Sequence, residues 1–276
     1  MKKIFLENML KGEIINMKIL VIGDIVGERA VKVIESNLKD IKEKQQIDFV
    51  IANAENAKNG NGLNKELFNK IIGAGVDVIT MGNHTWGDEE IYQFIEDEKI
   101  IRPANITKGI AGNGYTILER DNQKVLVINL IGRRYMEGVY YSDNPFIVAK
   151  EIVEKYLNKI RIILVDFHAQ STGEKFMMAY YLDGKVSGVY GTHTHVQTAD
   201  EVIMPKGTGF ITDIGMTGPI FSDLGCDPEN SLKRYIEDKP VEDIIATNNI
   251  MLNGAIFNVD ENTGKTIEIK RVHIVY

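Results

Sequence analysis

The sequence predicts an α/β fold built on a parallel sheet, with a second, mixed sheet packed against it. Three observations carry this expectation. Strand, loop and helix patterns alternate three times between Lys18 and Glu96, the later chain reads mainly as strands and hairpins, and side chains able to do chemistry fall where predicted strands end. Successive β-loop-α units favour parallel strands with crossover helices, and their ligand crevice lies beyond the carboxyl ends of the strands.

In chain order, Lys18-Ile-Leu-Val-Ile22 is a β-branched and leucine run closed by Gly23-Asp24. Val31, Ile34, Leu38 and Ile41 then fall three to four apart, the spacing of one helix face, which predicts a helix over about 29–44. The unit repeats as a strand over 48–52, a Gly- and Asn-rich loop over 53–61, and a helix over 64–74 with Leu67, Ile71 and Ile72 inward. A third copy has a strand over 77–81, the loop Gly82-Asn-His-Thr-Trp86 and a helix over about 88–96. Beyond Pro103, strands over 114–119 and 124–130 flank Asp121-Asn-Gln, a hairpin signal. A helix over 145–159 leads to a strand over 161–166 that delivers His168, and Gly188-Val-Tyr190 leads into His193 and His195. Further strands are expected over 201–204 and 209–213, a short helix over 231–237, and a closing hairpin from 254–259 and 266–275.

No internal repeat, low-complexity segment or long linker divides the chain, so 17–276 is expected to be a single domain, with 1–16 an N-terminal extension outside it. At 276 residues and 44% hydrophobic composition the chain can bury a substantial core. Its net charge of −7 argues against stable nucleic-acid binding or attraction to anionic membranes, which need clustered Lys and Arg. A phosphate substrate must therefore have its charge met locally, for example by metal ions. The single cysteine, Cys226, excludes an internal disulfide framework and fits a reducing cytoplasm as an ordinary, partly buried thiol. No apolar run approaches the roughly twenty residues needed to cross a bilayer. The N-terminus carries Glu7 and Asn8 where an export signal would be continuously apolar, so a cytoplasmic protein is expected. A homo-oligomer is compatible with all of this.

His193 and His195 stand two positions apart after a β-like run. In an extended segment alternate side chains share a face, so both imidazoles are expected to point at one locus. Asp24, Glu55, Asn56, Asn83 and His168 also sit at predicted strand ends, with His84 beside them. Mixed carboxylate, amide and imidazole donors suit Mn²⁺, Fe²⁺ or Zn²⁺ better than Ca²⁺, which takes oxygen only. Seven donors are too many for one ion. Two ions about 3.5–4 Å apart can share such a set if one carboxylate bridges them, and Glu55, the only glutamate among the donors, is the natural bridge.

In this order, Gly23-Asp24, the acid-amide pair Glu55-Asn56, Gly82-Asn-His84, the lone His168 and Gly191-Thr-His-Thr-His195 resemble the calcineurin-like metallophosphoesterases. More narrowly, Asn53-Ala-Glu-Asn56, Thr80-Met-Gly-Asn-His-Thr-Trp86, Asp166-Phe-His-Ala169, Gly191-Thr-His-Thr-His-Val-Gln-Thr198 and Thr212-Asp-Ile-Gly-Met-Thr-Gly-Pro219 resemble the bacterial YmdB-like branch, over 17–276. The resemblance implies a four-layer αββα sandwich of two packed mixed β-sheets with a dinuclear metal centre at the sheet edge. It implies one divalent ion on Asp24, Glu55, Asn56 and His195 and another on Glu55, Asn83, His168 and His193, with Fe or Mn preferred and Zn accommodated. It also implies 2′,3′-cyclic nucleotides or related phosphodiesters as substrates, whereas the residues alone support only a phosphoester. The superfamily's usual Asp-x-His first motif is reduced here to Gly23-Asp24, and its usual bridging aspartate is Glu55; both departures fit the narrower branch. Gln170, Ser171 and Gly173 depart from the branch pattern beside His168.

Within this frame His84 is expected to act as general acid to the leaving alkoxide, because imidazole titrates near working pH. Arg133-Arg134 is read as a solvated pair, Tyr140-Tyr141 as packing rather than base-stacking, and Trp86 as packing beside the site. Two rivals stand against a phosphodiesterase. An amidohydrolase would place its H-x-H on the first strand, not late in the chain. A metal-containing regulatory or RNA-associated module with little turnover would usually have lost ligands, and here none is missing.

Overall fold

A computed structural model describes residues 15–106, 110–120, 122–136 and 142–276. The first part of the fold follows the anticipated rhythm: β1 (Asn16–Ile22), the two-residue β2 (Asp24–Ile25), helix α1 (Glu28–Gln45), β3 (Phe49–Asn53), helix α2 (Lys65–Gly73) and β4 (Val78–Thr80). Asn64 caps α2, its side chain accepting from the Leu67 N–H. On α2 the inward face is Leu67, Phe68 and Ile71, and Ile72 is only partly buried, one position round from expectation. The helix expected over 88–96 is a short 3₁₀ turn, Glu89–Gln93, capped by Asp88.

The chain continues through β5 (Ile100–Ile101), the antiparallel hairpin β6 (Tyr115–Arg120) and β7 (Gln123–Ile131), helix α3 (Pro145–Tyr156), β8 (Ile162–His168), helix α4 (Thr172–Leu182) and β9 (Gly188–Thr192). Then come β10 (Val202–Ile203), β11 (Gly209–Ile211), β12 (Met216–Pro219), helix α5 (Pro228–Glu237) and the closing hairpin β13 (Ile250–Asp260) and β14 (Thr266–Val275). The sequence pattern did not indicate α4, β5 or β12. Of the residues expected to lie outside the fold, 1–14 fall outside the described residues, while Asn16 pairs with Asp260 as the first rung of β1.

The strands form two mixed sheets. The first runs β2-β12-β13-β1-β3-β4-β5, with β14 on the other side of β13; the second runs β10-β11-β9-β8-β7-β6. Residue alternation divides each central strand between two cores. Ile19 and Val21 of β1, Phe49 and Ile51 of β3, Val125 and Val127 of β7, and Ile162 and Leu164 of β8 meet in an apolar layer between the sheets. Their neighbours Leu20, Ile22 and Val50 face α1 and α2, and Leu126, Ile128, Ile163 and Val165 face α3 and α4. Strands buried on both faces explain the near-continuous hydrophobic runs, and the result is the four-layer αββα sandwich. Among the described residues no helix is long and apolar enough to cross a membrane.

One contact keys the sheets together. Phe257 of β13 is fully buried and presses on two glycines of the opposite sheet: a methyl group on Gly188 or Gly209 would lie 2.7 or 2.9 Å from its ring. Truncating Phe257 to Ala is expected to cost about 3–5 kcal/mol, and Gly188→Ala about 1–3 kcal/mol by overpacking. In a Phe257→Leu background Gly188→Ala should cost less than it does alone. Urea unfolding of the four proteins checks this; strict additivity would show that the ring does not fill the glycine slot.

Candidate active site

Because β1, β3 and β4 are parallel in one sheet and β8 and β9 in the other, their carboxyl ends converge on one edge of the sandwich. Asp24 opens β2 directly after β1, Glu55 and Asn56 follow β3, Asn83 and His84 follow β4, His168 closes β8, and His193 and His195 follow β9. The hub is the buried ring of His168. Its Nε2 lies 2.9 Å from Glu55 Oε1, 2.8 Å from Asn83 Oδ1 and 3.1 Å from His193 Nδ1. Glu55, His168 and His193 thus hold one potential ligand atom each within 4.8 Å of the others. Asp24 Oδ1 sits 3.8 Å from His168 Nδ1 and 4.0 Å from His195 Nε2, marking a second half of the cluster. Gly82 permits the crowding, since a methyl there would lie 2.4 Å from both Glu55 Oε2 and His168 Nε2.

The histidine pair reaches its place by a different geometry from the extended one expected. β9 ends at Thr192, and His193 and His195 take left-handed backbone angles, φ 94° and 64°. The bend sends the two rings to different halves of the cluster instead of to one point. Left-handed non-glycine residues are uncommon and persist where the surroundings over-determine them. Here the His193 N–H donates to Asp24 Oδ2 at 3.2 Å, and between the two histidines Thr194 donates both its N–H and its hydroxyl to Asp213 Oδ2, at 3.2 and 2.6 Å. Asp213 is in turn paired with Lys175 of α4 at 2.7 Å, and both side chains are fully buried. His195 Nδ1 donates to the Leu224 carbonyl at 2.8 Å, which turns Nε2 toward Asp24.

A similar relay orients His168. The Thr192 and Thr80 hydroxyls donate to the two oxygens of buried Asp166, at 2.7 and 2.5 Å. With its proton so committed, Thr192 accepts from His168 Nδ1–H at 2.9 Å, and His168 presents Nε2 to the cluster. Burial pushes the Asp166 carboxyl up to about 7. Burial would push His168 down, but the carboxylates of Glu55, Asp24 and Asp166 outweigh it and raise the ring to about 9. Burial alone would likewise raise Glu55, yet the charge and hydrogen bond of His168 bring it down to about 2. Burial, with the charge of His168, drives His193 down to about 3. The buried carboxylates thus favour a proton on His168, and that charge in turn disfavours one on His193. Asp24 Oδ1 and Asn56 Oδ1 are buried acceptors with no hydrogen-bond donor, so the donor set fits divalent cations.

His84 stands outside the cluster. Its N–H donates to Glu55 Oε2 at 2.9 Å and its ring Nδ1 meets Asn61 Oδ1 at 2.8 Å. Asn61, Thr80, Asp166, Lys175, Thr192, Thr194 and Asp213 were not singled out individually in the sequence; the available signal was the Asn- and Gly-rich loop for Asn61 and the strings around Asp166 and Asp213. Trp86 packs as expected, stacked on Tyr92 at 5.4 Å. Ser171 caps α4, and Cys226 is a free, half-buried thiol. Arg133 and Arg134 are exposed and line a cavity of about 390 Å³ with Asn144, Phe146 and Glu174, whose carboxylate accepts both arginine backbone N–H groups. Tyr140 and Tyr141 lie outside the described residues.

Two packed mixed sheets flanked by helices, with an acid, amide and imidazole cluster at the shared strand ends, define a metallophosphoesterase. Residues 20–272 match the family model described as YmdB-like protein, and the chain belongs to that family. It is 41% identical over 259 residues to the 2′,3′-cyclic-nucleotide 2′-phosphodiesterase of Bacillus subtilis, covering 94% of this chain and 97% of that one. Among solved structures, a novel phosphatase from Mycoplasma pneumoniae superposes with a TM-score of 0.90 at 36% identity, covering 95% and 94% of the two chains. A hypothetical protein from Thermus thermophilus does so with a TM-score of 0.87 at 36% identity, covering 94% and 99%.

The buried Lys175–Asp213 pair yields a test of how the histidine bend is held. Lys175→Met leaves the Asp213 charge buried and unpaired and is expected to cost about 3–5 kcal/mol of folding stability. Adding Asp213→Asn removes that stranded charge, so the double variant should be more stable than Lys175→Met alone. Urea midpoints measure both; a Lys175→Met protein as stable as the parent would sink the assignment.

Proposed function

We propose that the protein is a phosphodiesterase that depends on two divalent metal ions and hydrolyses 2′,3′-cyclic nucleotides or related small phosphodiesters, with His84 as general acid. The observation that carries this is the convergence of buried oxygen and nitrogen donors from both sheets on one edge, with Asp24 Oδ1 and Asn56 Oδ1 lacking any donor. The B. subtilis relative's name supports the cyclic substrate class.

Asp24, Glu55, Asn56 and His195 would hold one ion and Glu55, Asn83, His168 and His193 the other, with Glu55 shared and Fe or Mn preferred over Zn. Ions bound there supply Lewis acidity toward the phosphoryl oxygens and acidify a water near neutral pH. In the reaction a water oxygen bonds to phosphorus as the P–O bond to one ribose oxygen breaks. His84, outside the cluster and holding Asn61 through Nδ1, keeps Nε2 for the proton that the leaving alkoxide takes up. The product is a phosphomonoester bearing a free ribose hydroxyl. The relay Asp166–Thr192–His168 holds His168 by Nδ1 and turns Nε2 to the cluster, and the Asp213–Thr194 bonds hold the flanking histidines apart.

Two measurements test this. Metal content per chain is quantified, and 2′,3′-cyclic AMP, a linear diester and a monoester are assayed with the parent and with His84→Ala. Two ions per chain and a loss of kcat of about 10²-fold or more in His84→Ala, with KM little changed, are expected. Full metal content with no turnover on any ester would favour the regulatory-module alternative. The second measurement concerns pH. In the metal-free protein His168 titrates at about 9 and is protonated at neutral pH, so a cation must displace that proton to reach Nε2. Apparent metal affinity should rise with pH, by about tenfold per unit for one displaced proton, and level off near the His168 value. Chelator competition at several pH values reads this, and an affinity that stays constant between about pH 6 and 8 contradicts it.

A further inference from the structure

His84 and Asn61 belong to separate loops that the fold presses together. Asn61 lies in the turn between β3 and α2, where its N–H donates to the Lys58 carbonyl at 2.9 Å and the Gly62 N–H to the Glu55 carbonyl at 2.6 Å. Gly60 and Gly62 supply the left-handed angles, φ 81° and 87°, that return the chain toward the site. His84 opens a second turn, closed by the Gly87 N–H donating to the His84 carbonyl at 2.9 Å. The two turns touch backbone to backbone. A methyl on Gly62 would lie 2.7 Å from the Asp88 nitrogen, and one on Gly87 would lie 2.1 Å from Asn61 Oδ1. An ion pair between Lys58 and Asp88 spans the same gap. The Asn61 side chain is thus confined between the Gly87 backbone and the imidazole, with its oxygen 2.8 Å from Nδ1.

A carbonyl oxygen only accepts, so the atom it faces must carry the hydrogen. We propose that Asn61 is the positioning residue of the proton donor: its side-chain oxygen takes the Nδ1 hydrogen of His84, fixes the tautomer and the plane of the ring, and leaves Nε2 as the atom that exchanges a proton with the substrate. This rests on His84 acting as general acid. Triads of other hydrolases orient the base or acid in the same way through the second ring nitrogen, usually with a carboxylate. An amide orients the ring without adding a charge beside Glu55 and Asp24.

The inference separates from a merely structural tether by leaving-group dependence, because a donor matters only when the departing oxygen needs its proton. Metal-loaded parent, Asn61→Ala, Asn61→Asp, His84→Ala and Lys58→Ala proteins are compared on 2′,3′-cyclic AMP, whose leaving group is an alkoxide, and on bis(4-nitrophenyl) phosphate, whose leaving phenolate departs unprotonated. Asn61→Ala is expected to lose about tenfold to a hundredfold in kcat on the cyclic substrate, less than about threefold on the activated diester, with KM and metal content near those of the parent. Asn61→Asp, which keeps an acceptor at the same reach, should recover most of that loss. Lys58→Ala, which loosens the same two turns without touching the ring, should show no difference between the substrates. Long-range ¹H–¹⁵N spectra of the Zn²⁺-loaded protein, with five histidines to assign, should show the Nδ1–H form of His84 in the parent and a mixture in Asn61→Ala. Equal losses on both esters for Asn61→Ala, or an unchanged His84 tautomer, overturn the inference while leaving His84 in its role. If His84→Ala itself shows no leaving-group dependence, it is the general-acid assignment that falls.

Discussion

Two carboxylates are buried together at the head of this sandwich, and no lysine or arginine among the described residues is paired with either. Asp24 and Glu55 are 0% and 1% exposed, and their ion-pair partners are histidines only. Burying like charges without compensation is costly, and it is tolerated where a cation or proton supplies the opposite sign. The elevated His168 is the protein's own partial answer, since a proton there stands in for the positive charge that the cluster demands. Much else follows from this one constraint. Acceptors without donors, imidazoles held by Nδ1 with Nε2 turned inward, and a glycine where any side chain would intrude all fit a pocket that takes positive charge.

The support for that pocket is polar and deeply buried. Asp166, held by two threonine hydroxyls, steadies His168, and the Lys175–Asp213 pair steadies the turn that bears His193 and His195. Buried ionic groups are poor sources of stability compared with apolar packing, but they can specify one geometry. Here they hold two residues in backbone conformations that L-amino acids rarely adopt, and the strain sits where the chemistry is expected.

Much of this was legible in the sequence, and the failures have physical causes. The strand-loop-helix rhythm was readable because β1 and β3 are short β-branched runs and α1 shows a strict apolar stripe, Val31, Ile34, Leu38 and Ile41. Helix α4 escaped notice because Phe176, Met177, Tyr180 and Tyr181 are exposed while Lys175 is buried, which inverts the usual pattern. β12 contains Gly218 and Pro219 and is a strand only because β13 and β2 lie alongside it, while β5 is two residues long. The seven candidate donors were legible because they sit at predicted strand ends; the structure brings Glu55, Asn83 and His193 around His168 and places Asp24 3.8 Å from His168 and 4.0 Å from His195. The bend at His193 was hidden, since two alternating histidines after a strand look extended until Asp213, nineteen residues from Thr194, is brought beneath them. Asn61 was hidden for the same reason: its partner is twenty-three positions away, and nothing in either loop's composition announces the pairing.

The ring of Phe257, seated between Gly188 and Gly209, has a consequence beyond cohesion. Asp24, Glu55, Asn56 and Asn83 are carried by one sheet and His168, His193 and His195 by the other, so the separation of the two donor groups follows the thickness of the greasy layer between them. That filling works as a calibrated shim. Changing the size of those interior side chains, in a region with no chemistry of its own, would shift one donor group against the other while leaving every donor residue untouched.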